Sequence, residues 1–186
     1  PLSVASPPQR PAAPSGTPLS VEARNTLEAI DAEWQSIIQI ERQLEAVRRQ
    51  LGGMQATLQS LNRDLDADER LFADNLDKKD WQDARRWLRE ALAHVYRYIR
   101  AHDIGVTSSA GNRRRFEELY VQFVEPRRPF PHMEAEQLAF EQHRKTNQNL
   151  LVQMQSTHAS AARDGVQRAR MVLSRIAAKV RKARSK

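Results

Sequence analysis

Between Ile37 and Phe72 the apolar residues recur at steps that alternate three and four. The positions are Ile37, Ile40, Leu44, Val47, Leu51, Met54, Leu58, Leu61, Leu65 and Phe72, with Asp68 the one polar member of the stripe. A seven-residue repeat sustained over five heptads excludes a strand and predicts a long helix with a narrow seam that supercoils against a partner helix. Leu27, Ile30 and Trp34 extend the stripe upstream, with a shortened step between Ile37 and Ile40 that overwinds it locally. Ser20, just ahead of Val21-Glu22-Ala23, is a suitable N-cap. Gly52-Gly53 is the weak point, since two glycines cost about 2 kcal/mol relative to alanine inside a helix. Neither sits on the seam, so the pattern leaves open whether the helix continues, bends or breaks there.

A second run of three- and four-residue steps begins late in the chain: Leu151, Met154, His158, Ala161, Gly165, Ala169, Val172, Ile176 and Val180. It predicts a last helix over about 134–184, whose small residues suit close approach to a neighbour. Between the two stems lie ten of the eleven aromatics, all but Trp34, from Phe72 to Phe140. Concentrated ring area of this kind predicts a compact core. Asp80 can cap a helix with Trp81, Ala84, Leu88, Ala91, Val95, Tyr98 and His102 on one face. Gly105 to Asn112 reads as a loop, and Phe116 to Phe123 as a shorter helix ended by Glu125-Pro126.

The prolines divide the chain. Six of nine fall in the first 18 residues, and the remaining three, Pro126, Pro129 and Pro131, form a bend. Neither 19–125 nor 132–186 contains one. The expected fold is therefore all-α: an elongated antiparallel coiled-coil hairpin of two long helices with a small helical head. Its parts are a disordered Pro-rich linker at 1–18, a first stem at 19–77, an aromatic head with the bend at 78–132, and a second stem with a basic tail at 133–186. About 55 residues of helix span roughly 80 Å. The competing arrangement is a parallel dimer through Ile37–Phe72.

Charge sharpens the picture. The chain of 186 residues carries +7, yet residues 163–186 alone hold nine bases against the single Asp164. Residues 19–77 hold twelve acids and six bases. An antiparallel hairpin sets the basic stretch beside Glu22, Glu28, Asp31, Glu33, Glu41 and Glu45, which makes part of it an internal complement.

The absence of cysteine rules out disulfides, thiolate metal sites and thiol catalysis, and leaves the compartment open. No run approaches the roughly 18 apolar residues of a membrane span, and no signal peptide opens the chain. A first residue of Pro1 rather than Met reads as a processed product or a piece of something longer. Phosphate-binding and dinucleotide glycine motifs are missing. So are the paired Glu-x-x-His motifs of di-iron bundles. His94, His102, His132, His143 and His158 are scattered; His132 and Glu136 share a helix face, but two ligands on one turn make a weak site. His158 reads as a partly buried histidine on a helix interface. Catalytic, cofactor and metal residues are accordingly expected to be none.

Two functions remain. The first is a non-enzymatic coiled-coil scaffold or adaptor that assembles with a protein partner, or with itself, through the stem. The second is sequence-independent binding of nucleic acid or an anionic surface, with Arg175, Lys179, Arg181, Lys182, Arg184 and Lys186 as candidate contacts. No aromatics interleave with these bases along the chain, so the sequence offers no stacking platform for single strands.

Overall fold

A computed structural model describes residues 18–74 and 77–186, so the Pro-rich segment, but for Pro18, lies outside the described residues. Helix α1 runs unbroken from Val21 to Phe72. Ser20 caps it, its side chain accepting from the Ala23 N–H at 3.1 Å. Gly52 and Gly53 stay helical, because buried Leu51 and Leu58 on either side secure the helix through tertiary packing that outweighs propensity. Helix α2 spans Lys78–Leu119 and continues through a wide turn at Tyr120–Val124. There the Glu125 N–H reaches back five residues, to the Tyr120 carbonyl, at 2.8 Å. Its N-cap is Asp77, not Asp80: the Asp77 carboxylate accepts from the Lys79 N–H at 3.0 Å. After a bend with left-handed backbone at Arg127 and His132, α3 covers Met133–Val152. A second wide segment, Gln153–Ala159, carries it into α4, Ser160–Arg184.

The chain is all-α and elongated, and a long antiparallel helical hairpin lies at its centre. The second arm of that hairpin is α2, not the last helix. From the turn outward α1 and α2 are bridged by Arg85 with Asp66 and Glu69, Arg48 with Asp103, Arg113 with Glu41, and Tyr120 with Asp31. The continuous α3–α4 rod runs parallel to α1, with Arg144 on Glu33 and Arg184 over Phe72. It runs antiparallel to α2, with Arg115 on Glu136 and Lys179 on Asp80. The fold is thus an up-down-up bundle of three rods, and residues 78–132 are not a small head.

The reason lies at Gly105–Asn112, which is helix rather than loop. Without proline the segment keeps its helical bonds, and Ser108 and Ser109 turn their hydroxyls onto the Ile104 and Val106 carbonyls at 2.9 Å. Gly105 permits close contact with α3: a Cβ there would fall 2.8 Å from a methyl of Leu150. Packing along α2 therefore overrides the low helix propensity of these small residues.

Every seam position faces inward: Ile37, Ile40, Leu44, Val47, Leu51, Leu58 and Leu65 are buried, and Met54, Leu61 and Phe72 pack against them. Because α2 and the α3–α4 rod cover it, the seam is closed within one chain. Within this chain the seam therefore meets α2 and the α3–α4 rod, where the sequence left its partner helix open. Asp68, the polar break, is half-buried in the α1–α4 groove, which Arg170 also lines.

Two cores share the rod. The larger joins Ile40–Leu65 of α1 with Trp81–Ile99 of α2 and Leu151–Val180. The smaller, at the other end, joins Leu27, Ile30, Trp34 and Ile37 with Phe116, Phe130 and Phe140. The aromatics therefore divide between both ends of the bundle. Trp34, the one ring apart in sequence, stacks on Tyr120 with centroids 5.1 Å apart and meets Phe140 edge-on at 6.1 Å.

Candidate functional site

Helix α4 turns its apolar residues inward and splits its bases between two flanks. Heptad spacing puts Arg168, Arg175, Lys179 and Lys182 on the flank beside α2, where Lys179 pairs with Asp80 and Arg168 lies over the Trp87 ring at 5.8 Å. Arg163, Arg170 and Arg181 take the flank beside α1, where Arg170 lines the same groove as Asp64 and Asp68. All six sequence-predicted contacts, Arg175, Lys179, Arg181, Lys182, Arg184 and Lys186, are exposed. Arg184 rests on Phe72, 5.0 Å from the ring centroid. The acidic complement is not 20–45, because α4 runs parallel to α1 and beside its far end. The facing acids are Asp64, Asp68 and Asp80, and among the described residues only Lys179 of this basic set is ion-paired.

Folding also supplies what the linear sequence lacks. Between α2 and α4 lies a groove of about 400 Å³ whose walls include Trp87, His94 and Tyr98. Ala91, Ala161 and Gly165 also line it, and the helices come close here: a Cβ on Gly165 would sit 3.6 Å from that of Ala91. Aromatic rings from α2 thus stand beside the bases of α4. The only sequence signal was the pair of stripes, Trp87-Glu90-His94 and Ala161-Gly165-Arg168, with nothing to say that they face each other.

A buried polar layer separates the two cores. His102 donates through Nε2 to the Leu44 carbonyl at 3.0 Å, and its Nδ1 lies 3.1 Å from the Asp103 carboxylate. Desolvation pushes the Asp103 carboxyl up, but hydrogen bonds from His102 and Arg48 outweigh it and hold it below its ordinary value. Asn147 Nδ2 donates to His143 Nε2 at 3.3 Å, a bond that only neutral imidazole can accept. His102 thus ties α2 to the α1 backbone, while the Asn147–His143 bond stays within α3. His158 sits on the helix interface, tilted against Tyr98 with centroids 4.6 Å apart. His132 and Glu136 do not converge: His132 is exposed at the bend, while Glu136 takes Arg115 at 2.8 Å. Among the described residues no three His, Asp or Glu side chains gather as metal ligands.

Burial, and then the charge of Arg113, hold the His143 imidazole below its ordinary 6.5. The folded chain thus takes up this proton less readily than the unfolded one. His143 contributes stability above pH 6.5 that is lost as pH falls from 6.5 through the depressed folded value. The melting temperature should drop between about pH 7 and 5, where carboxylates remain ionised, and drop less steeply in His143→Gln. Equal slopes in the two proteins would clear His143 of this role.

Fold and surface together define an elongated three-rod helical bundle with one strongly basic end. No helix among the described residues is long and apolar enough to cross a membrane. No protein-family model, curated protein or solved structure matches the chain.

Proposed function

We propose that the chain is a non-enzymatic helical rod that docks on nucleic acid without regard to base sequence, through the exposed bases of α4. The observation that carries this is the row Arg168, Arg175 and Lys182, repeated every seven residues on one rigid helix and left without acidic partners among the described residues. A helix holding fixed cations releases counterions from a phosphate backbone with little further ordering. Of the scaffold expectation the rod itself remains, about 80 Å of helix at 1.5 Å per residue. Its seam is already filled.

Substitution tests this better than truncation. Removing everything after Ala178 would also remove Val180, which is buried in the larger core, and helicity would not be spared. The combined variant Arg175→Gln, Arg181→Gln, Lys182→Gln touches only exposed side chains. It should elute from heparin at lower salt, and its slope of log affinity against log salt on duplex DNA should flatten by up to about 2.7, at 0.9 per lost phosphate contact. Circular dichroism should be unchanged. Failure of the intact chain to bind duplex DNA at about 50–100 mM salt, or an unchanged slope, overturns the proposal. Binding to anionic vesicles without binding to DNA overturns it equally.

A further inference from the structure

We infer that the groove between α2 and α4 receives an unpaired base of single-stranded nucleic acid, stacked on Trp87, while the neighbouring phosphates lie on Arg168, Arg175 and Lys182. The inference rests on the nucleic-acid reading of α4 and adds the form of strand it takes.

Three observations converge on the groove. The first is its aromatic wall. Trp87 is only half-buried, and Arg168 lies over it at 5.8 Å, near the roughly 6 Å limit of a cation–π contact. A flat base can therefore displace the guanidinium outward, toward the backbone it would then bind. His94 and Tyr98, stacked on each other with centroids 6.2 Å apart, continue the wall. The second is charge. Glu90 and Asp164 line the same groove, so a phosphate is repelled from its interior. A neutral base is not, and its N–H groups can donate to those carboxylates. The third is the flank: Arg168, Arg175 and Lys182 follow one another along α4 on the side of the groove. Carboxylates and rings inside with guanidinium and ammonium groups outside match a strand that turns its bases in and its phosphates out. In a duplex the base faces are already stacked, so a double strand reaches only the outer row.

The test uses the intact chain. A short fluorescein-labelled single strand and a duplex of equal length are titrated at about 50–100 mM salt against wild type, Trp87→Ala and Trp87→Phe. Loss of one stacked base should weaken single-strand binding about tenfold or more in Trp87→Ala. Duplex affinity should stay within about twofold, and Trp87→Phe should keep most of the single-strand affinity because a ring remains. Independently, intrinsic tryptophan fluorescence of wild type should be quenched by the single strand and not by heparin, because Trp34 and Trp81 are buried. Equal weakening on both strand forms, or no quenching by the single strand, overturns the stacking inference while leaving salt-dependent duplex binding intact. Absence of binding to either form overturns the broader reading and this inference together.

Discussion

Leu58→Asp should lower the melting temperature by about 10 °C or more, and the mass of the folded protein in light scattering should be that of the wild type. Leu58 is 0% exposed at the middle of the α1 seam, inside the larger core that α1, α2 and α4 build together. The substitution forfeits about 2–3 kcal/mol of apolar burial and leaves a carboxyl with no partner in an apolar layer, which adds about 2 kcal/mol more. A total near 4–5 kcal/mol is at the upper end for one residue. In a chain of this size each kcal/mol moves the midpoint by about 2–4 °C. Constant mass follows from the seam being covered by the same chain. A wild-type mass of two chains that falls to one in the variant would show that the seam holds a second molecule.

Phe140→Ala should cost about 3–5 kcal/mol, and the damage should be local. Phe140 is 0% exposed and brings three helices together: it meets Phe116 of α2 at 4.5 Å and Trp34 of α1 at 6.1 Å between centroids. Its loss opens a ring-sized cavity in the smaller core, which the polar layer of His102, His143 and Asn147 separates from the larger one. Hydrogen exchange should accelerate most at residues 23–37 and 116–140 and least at 58–65 and 166–180. Uniform acceleration along the chain would mean that the polar layer transmits the loss and that the rod opens as one unit.

The two substitutions probe different kinds of information. The alternating three- and four-residue steps from Ile37 to Phe72 specified a helix, its inward face and its register, and each seam residue does turn inward. Such periodicity reports which side chains leave water. It carries no label for the helix they meet, so the seam fits α2 of the same chain as well as it fits a second copy or the last helix. Charge had the same ambiguity: the acids at 20–45 and those at 64–80 are equally plausible complements for the bases of 163–186, and only chain direction chooses between them.

From the residues alone came the all-helical class, the Ser20 cap, the bend at Pro126–Pro131 and the exposed basic end, because each depends on spacing or on backbone chemistry within a few residues. Tertiary structure decided the rest. Gly105 to Asn112 looks like a loop by propensity and is helix because packing against Leu150 favours a continuous α2 over the conformational freedom of its small residues. Once that helix is complete, the third rod runs parallel to the first, and the basic helix is carried from the acidic start of α1 to the opposite end of the bundle. Trp87 and Arg168 then meet from positions remote in sequence, a juxtaposition that no local pattern encodes, since it exists only when two separate stripes are set side by side.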